Sequence, residues 1–158
     1  MGRLAILALR AVIVLMFAGL LVVQGLIIPA LGRDIDDGGA EVAYLRWPVV
    51  ITTFLGVLAV QVVLVCVWQL LTMVRRDTVF SRAAFRYVDV IIGAAVAMTV
   101  LAMILSFVLA PGEVIAPGIV LLVVIGGTGT AGIALLVLVL RFLLAKATTL
   151  RAELDEVI

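Results

Sequence analysis

The sequence predicts an all-α integral membrane protein, an antiparallel four-helix bundle with both termini in the cytosol. The first observation is composition, since 66% of the residues are hydrophobic and 13% are charged. Soluble domains carry roughly 45–50% apolar and about 25% charged residues, so this chain cannot cover a water-facing globule. The second observation is a set of four long apolar runs, and the third is a strong bias of arginine and lysine to one side of them.

The four runs are predicted to cover residues 11–31, 47–74, 90–110 and 117–140. A helix of about 20 apolar residues crosses the hydrocarbon core, and each run meets that length. Backbone groups in lipid must be hydrogen-bonded within the segment, and the alternating pattern of a barrel strand is absent, so the spans are predicted to be helices. We therefore expect residues 1–158 to form a single four-span membrane domain.

A cleaved signal peptide ending at Ala30 is the alternative for the first run. The hydrophobic core of a signal peptide is about 7–15 residues long, which is shorter than this run. The residue three positions before the cleavage site would be Ile28, which is bulkier than the small residue usually found there. The first run is therefore predicted to be a membrane span.

The orientation follows from the basic residues outside the spans. Nine lie on the side of the termini and of the loop at 75–89, and two lie on the side of the loop at 33–46. Because lysine and arginine in short loops are retained in the cytosol, the termini and the 75–89 loop are predicted to be cytosolic. The 33–46 loop is predicted to be exofacial and is acidic. Its acidic residues are Asp34, Asp36, Asp37 and Glu41.

The basic cytosolic loop leads into the third helix. Ser81 is the predicted N-cap, and Phe80 and Phe85 occupy the positions of a hydrophobic staple. Arg86 is expected to neutralise Asp89 one turn later, where an unpaired carboxylate would enter lipid at high cost.

The same loop is a candidate cytosolic interface. Its basic residues attract anionic lipid, and they also offer a surface to a protein partner. The tail at 141–158 is predicted to continue as an amphipathic helix, with Leu150, Leu154 and Val157 on one side. Its acidic residues are expected to pair with loop arginines of the same or a neighbouring chain, or with a soluble protein. The candidate interface residues are Arg75, Arg76, Arg82, Arg86, Asp89, Glu153, Asp155 and Glu156.

Polar residues within the spans are few and uncharged, which counts against a proton-coupled transporter. Counting rise per residue from the predicted span ends puts Gln24 about 10 Å below the outer surface and Gln61 about 10 Å above the inner one. We therefore expect Gln24 to bond with Thr52 or Thr53 and not with Gln61. The alternative to such interhelical bonds is a polar pore, whose lining would be Gln61, Thr99, Thr128 and Thr130.

Glycines cluster in the middle of the fourth span. Small residues at spacings of three or four let helix backbones approach closely, so this cluster is predicted to be a helix-packing face. A local break lining a cavity is the alternative. The cluster consists of Gly126, Gly127, Gly129 and Gly132.

The sequence contains few of the residue types that form catalytic or metal sites. It has no histidine, and its one cysteine, Cys66, lies within an apolar run, so no disulfide framework or Cys/His metal cluster is expected. We find no nucleophile and base pair, and we expect no catalytic, metal or cofactor site. Direct nucleic-acid binding requires a clustered excess of basic residues on a folded domain, and a net charge of +1 does not indicate one.

The stretch from Arg75 to Asp89, "RRDTVFSRAAFRYVD", and the ending "TLRAELDEVI" resemble a small four-span bacterial family catalogued as a domain of unknown function, number twenty-nine seventy-five. The resemblance covers essentially the whole chain and implies a bacterial inner-membrane protein. Members are often encoded beside a small helix-turn-helix regulator, which implies a membrane scaffold or sensor for a cytosolic regulator. A homo-oligomeric, non-enzymatic scaffold is the function we expect, and a small channel or transporter is the alternative.

Overall fold

The computed structural model describes residues 3–76, 82–111 and 117–157. These residues form helices and the turns that join them. The α-helices are α1 (Arg3–Val22), α2 (Ile28–Asp37), α3 (Arg46–Arg75), α4 (Arg82–Leu109) and α5 (Pro117–Val157). Four helical stretches are long and apolar enough to cross a membrane, which confirms the predicted all-α, four-span fold class.

The first span is a continuous helix made of α1, a π-helical segment at Val23–Ile27, and α2. The π-helical segment is explained by Pro29, which has no backbone N–H and whose ring would clash with the carbonyl of Gly25 in a regular α-helix. The backbone hydrogen bonds here span five residues instead of four, and the N–H of Ile28 donates to the carbonyl of Val23. Proline thus shifts the register of this helix without ending it.

The spans pack in sequence order as a curved row. The first span packs on α3, α3 on α4, and α4 on α5, whereas non-consecutive spans meet at most marginally. One groove is nevertheless lined jointly by α3, α4 and α5, which shows that the row bends. Neighbours run antiparallel, since contacts such as Thr99 with Thr130 and Asp89 with Arg141 pair later residues of one helix with earlier residues of the next.

The first span extends beyond its predicted end at residue 31 and continues to Asp37. Burial explains the extension, because Ile28 is 3% exposed and Gly32 packs against Val50 of α3. The predicted loop at 33–46 is therefore shorter than expected, and its first residues are helical. The chain turns at Gly38 and Gly39, where Gly39 adopts a φ of 98° that suits glycine.

An ion pair closes the turn between the first span and α3. The Nη1 atom of Arg46 lies 2.6 Å from the Oδ2 atom of Asp36, and both side chains are about 40% exposed. The Arg46 guanidinium also lies over the ring of Trp47, 5.4 Å from its centroid. These contacts fix the end of the bundle opposite the chain termini.

Helix α5 is unbroken over 41 residues and includes both the glycine cluster and the predicted cytosolic tail. The alternative of a broken fourth span is therefore wrong. At 1.5 Å per residue the helix is about 61 Å long, roughly twice the hydrocarbon thickness. A long section of α5 therefore projects beyond the membrane.

Candidate docking surface and the contacts that position it

The basic end of the bundle is formed by the start of α1, the end of α3, the start of α4 and the end of α5. Arg75, Arg76, Arg82 and Arg86 are exposed there. Within the described ranges, no carboxylate forms an ion pair with any of these four arginines. The predicted cap Ser81 and staple residue Phe80 lie outside the described residues, although α4 does begin at Arg82, and Phe85 is half-buried.

Asp89 pairs with Arg141 of α5, so the predicted pairing with Arg86 is wrong. The Nη2 atom of Arg141 donates to Oδ2 of Asp89 at 3.0 Å, and its Nε atom lies 2.6 Å from Oδ1. Arg86 lies on the same helix as Asp89, whereas Arg141 comes from the facing helix and presents two nitrogens to the two carboxylate oxygens. The contact from Nη2 is a hydrogen bond, and the contact from Nε is a close ion-pair contact. The pair joins α4 to α5 at the point where α5 leaves the apolar span.

We expect a double-mutant cycle of Asp89→Asn and Arg141→Gln to give a coupling energy of at most about 1 kcal/mol. The side chains of Arg141 and Asp89 are 36% and 52% exposed, and solvent therefore screens the pair. Unfolding in mild detergent measures the cycle. A cycle of Asp89→Asn with Arg86→Gln is the matched control, and a larger coupling in that control would contradict the observed pairing.

The projecting part of α5 is exposed along almost its whole length after Ala145. Its apolar residues Leu150, Leu154 and Val157 are 53%, 64% and 85% exposed. They are spaced by four and three residues and so lie on one side of the helix. The acidic residues Glu153, Asp155 and Glu156 are also exposed, and in the described part of the chain none of them forms an ion pair with Arg75, Arg76 or Arg82. The predicted pairing within one protomer is therefore not formed, and both the apolar and the acidic groups face outward.

Arg10 forms a second cluster at the basic end, between α1 and α3. Its Nη2 atom donates to the hydroxyl of Thr72 at 3.0 Å, and its guanidinium lies over Trp68, 4.8 Å from the ring centroid. The Thr72 hydroxyl in turn donates to the carbonyl of Trp68. Arg10 is one of the nine basic residues counted for the orientation, and this cluster was not predicted from the sequence. The available signal was the position of Arg10 one turn before Ile13, on the face of α1 that packs on α3.

Gln24 and Gln61 are hydrogen-bonded to each other, which contradicts the prediction that they lie at different depths. The Nε2 atom of Gln61 donates to Oε1 of Gln24 at 2.9 Å. The first span continues to Asp37, so Gln24 is 13 residues from its outer end, and Gln61 is 15 residues from the start of α3. Both therefore lie about 20 Å from the same end of the bundle. The expected bonds from Gln24 to Thr52 or Thr53 are not formed.

We expect Gln61→Leu to lower the stability of the protein by about 0.6–2 kcal/mol, because Gln61 is 7% exposed and loses its one interhelical bond. Gln69→Leu, at an exposed position of the same helix, is the matched control and should have little effect. Unfolding of the reconstituted protein compares the two variants. Equal effects would show that the Gln24–Gln61 bond contributes nothing.

No cavity among those described is lined by all four predicted pore residues. Thr99 and Thr130 approach each other, with their hydroxyls 3.0 Å apart, at the contact of α4 with α5. Thr128 is exposed and donates to the carbonyl of Val124 in its own helix. Among the described cavities, Thr99 and Thr128 line one, Thr130 lines another, and Gln61 lines neither. These four residues are therefore interhelical or local hydrogen-bonding groups in the protomer.

Of the four glycines predicted to pack helices, Gly127 does so within the protomer. A Cβ atom at Gly127 would lie 2.8 Å from the Cβ of Ala102 on α4. A Cβ at Gly126, Gly129 or Gly132 would meet nothing within 4 Å. Among the described residues these three glycines therefore have open space around them, and Gly126 borders the groove that α5 shares with α3 and α4.

The comparisons with known proteins agree with the resemblance in the sequence. A family model described as a protein of unknown function (DUF2975) matches residues 30–158. The match includes α3, α4, α5 and most of α2, and it leaves out residues 1–29, so it is shorter than the whole-chain resemblance suggested. No curated protein and no solved structure matches the chain. With four helices able to span a membrane and a match over most of its length, this multi-pass membrane protein belongs to the DUF2975 family.

Proposed function

We propose that the protein is a non-enzymatic scaffold of the bacterial inner membrane, and that its basic end docks a soluble protein in the cytosol. The observation that carries the proposal is the projecting part of α5. This part of the helix extends about 30 Å beyond the hydrocarbon with Leu150, Leu154 and Val157 exposed. It offers an amphipathic surface that no other described residue covers. Amphipathic helices of this kind bind grooves on other proteins through apolar residues spaced by three and four.

The orientation of the scaffold rests on the distribution of charge. Nine lysine and arginine residues lie on the side of the basic end and two on the opposite side, and such residues are retained in the cytosol. Cysteine labelling tests the orientation in a Cys66→Ser background. We expect an impermeant maleimide to label Ala40→Cys in intact spheroplasts and Ala152→Cys only after permeabilisation. The reverse pattern would overturn the cytosolic placement.

The partner we propose is a small helix-turn-helix regulator, as the family resemblance implies. The exposed arginines of α3 and α4 and the exposed acidic residues of α5 lie at the same end of the bundle. This arrangement supports a protein partner whose surface carries both acidic and basic groups. The proposal needs no nucleic-acid contact by this chain. Through such a contact the membrane protein would hold or release the regulator.

Titration of a purified small helix-turn-helix regulator, of the kind that the resemblance implies, onto the full chain in nanodiscs tests the docking. We expect Leu150→Ser combined with Leu154→Ser to weaken binding about tenfold or more, since two central apolar anchors are lost. Leu135→Ser combined with Leu138→Ser, in the lipid-facing part of the same helix, is the control for general disturbance. Absence of binding by the unaltered protein would overturn the docking proposal.

We further propose that the scaffold is a homo-oligomer in which the open glycines of α5 contact a second copy. Small residues that let backbones approach closely are a common basis of helix association in lipid. Gly126, Gly129 and Gly132 are open in the protomer and hence accessible to another helix. Mass spectrometry of the protein extracted in native-like lipid measures the copy number.

A further inference from the structure

We infer that the groove between α1 and α3 binds one anionic phospholipid, with its phosphate at Arg10 and an acyl chain in the groove. This site is distinct from the docking surface on α5, and the inference does not depend on a protein partner. Its elements are an apolar groove and a cation at one end of that groove.

The groove accepts an acyl chain. It has a volume of about 350 Å³, is open along one side, and is lined by apolar side chains from Ile13 to Leu21 on α1 and from Leu64 to Trp68 on α3. From Ile13 to Leu21 the helix rises about 12 Å, close to the depth of one leaflet's hydrocarbon, about 15 Å. A chain of methylene groups fits both the shape and the polarity of such a groove.

The cation lies where a lipid headgroup would be. Arg10 precedes Ile13 by three residues and so lies on the same face of α1, one turn toward the basic end. Trp68, whose ring it covers, lines the groove itself. The guanidinium is therefore held at the mouth of the groove by Trp68 and Thr72, with the aromatic ring at the level where such residues meet the headgroups.

In the described part of the chain, no carboxylate neutralises the charge of Arg10. The ion pairs in the described part of the chain use Arg46 and Arg141, and Arg10 takes part in neither. Its Nε atom has no hydrogen-bond partner among the described residues. A guanidinium has five N–H donors in a planar fork that suits phosphate oxygens, and Thr72 accepts from one nitrogen of the fork.

A second basic residue supports the choice of an anionic lipid over a zwitterionic one. Arg75 follows Thr72 by three residues and so lies on the same face of α3, one turn further from the hydrocarbon. It is exposed. Arg10 and Arg75 lie on neighbouring helix faces, and no carboxylate of the described residues forms an ion pair with either. Such a site favours a headgroup of net negative charge.

Trp68 makes the site measurable. In a Trp47→Phe variant it is the one remaining tryptophan, and bromine atoms on a lipid acyl chain quench its fluorescence when they come close. The protein is reconstituted in vesicles with a brominated phosphatidylglycerol or a brominated phosphatidylcholine at matched mole fractions. We expect the phosphatidylglycerol to reach half-quenching at about fivefold lower mole fraction, the factor that one basic residue near a membrane surface contributes.

Variants then assign the preference to Arg10. Arg10→Gln should reduce the ratio between the two lipids to about one, while Arg10→Lys should retain part of it. Arg86→Gln removes the same charge on α4, away from the groove, and should leave the ratio unchanged. Quenching of Arg10→Gln by the phosphatidylcholine should match that of the parent, which shows that the variant is folded.

Three results would overturn the inference. A lipid preference that survives Arg10→Gln would mean that the phosphate binds elsewhere. Loss of the preference on addition of inorganic phosphate would mean that the headgroup alone is recognised and that the groove holds no specific chain. Absence of quenching by either lipid would show that the groove is filled by another helix, such as one from a second copy.

Discussion

Gly127→Leu is expected to separate α4 from α5 and to leave little folded protein in mild detergent. A Cβ atom alone at this position would lie 2.8 Å from the Cβ of Ala102 and 3.9 Å from the carbonyl oxygen of Thr99. The obstructing methyl is attached directly to a helix backbone, so it cannot turn aside as the end of a long side chain would. Overpacking of this kind costs about 1–3 kcal/mol or more. The separation would also break the bond between Thr99 and Thr130.

Unfolding by denaturant in mild detergent measures the loss, and Gly129→Leu is the matched control on the same helix. Because Gly129 has open space around it, its substitution should change the stability of the protomer by no more than about 0.5 kcal/mol. Gly129→Leu should instead alter the oligomer if the open glycines contact a second copy. Equal tolerance of the two substitutions would show that α4 and α5 are not closely packed at Gly127.

The number, type and order of the spans could be predicted from the sequence because lipid imposes simple requirements. A segment that crosses the membrane must be long and apolar and must satisfy its own backbone groups, and these properties are local in the chain. The start of α4 at Arg82 and the continuation of α5 through the tail follow in the same way from capping and amphipathic spacing. These elements depend little on what surrounds them.

The contacts between spans could not be predicted because they depend on register. Gln24 was placed from the predicted end of its apolar run, and six further helical residues to Asp37 moved it to the level of Gln61. Amphipathic packing of Ile28 and Gly32 on α3 causes that extension, and a hydropathy pattern does not reveal which neighbour a helix will have.

Asp89 illustrates the same limit for charged residues. Spacing along one helix makes Arg86 a reasonable partner, since residues three apart lie on one face. The observed partner, Arg141, is 52 residues away along the chain and becomes a neighbour through the antiparallel packing of α4 and α5. Likewise, periodicity marked four glycines as equivalent, and only the position of α4 distinguishes Gly127 from the other three.

Deletion of Arg151–Ile158 is expected to leave membrane insertion and folding intact and to abolish docking of the proposed cytosolic regulator. The described part of this segment is exposed throughout, so its removal uncovers no apolar side chain of the bundle. The spans are held by contacts nearer the membrane, such as the pair of Asp89 with Arg141 and the packing at Gly127. The unfolding curve in detergent should therefore coincide with that of the full chain, while binding of the regulator to nanodiscs is lost.

A variant that keeps the length of the helix but removes its negative charge identifies which part of the tail acts. Glu153→Gln, Asp155→Asn and Glu156→Gln together preserve Leu150 and Leu154 and neutralise the exposed carboxylates. If the apolar side provides the affinity, this variant should bind within a few-fold of the parent, with slower association and a weaker dependence on salt, because exposed charges act mainly on the rate of encounter. If it binds no better than the deletion, the carboxylates themselves are the anchors, and a basic face on the regulator must accept them. If the deletion binds as well as the full chain, α5 beyond Leu150 is a solvated end and the docking surface must lie on the arginines of α3 and α4.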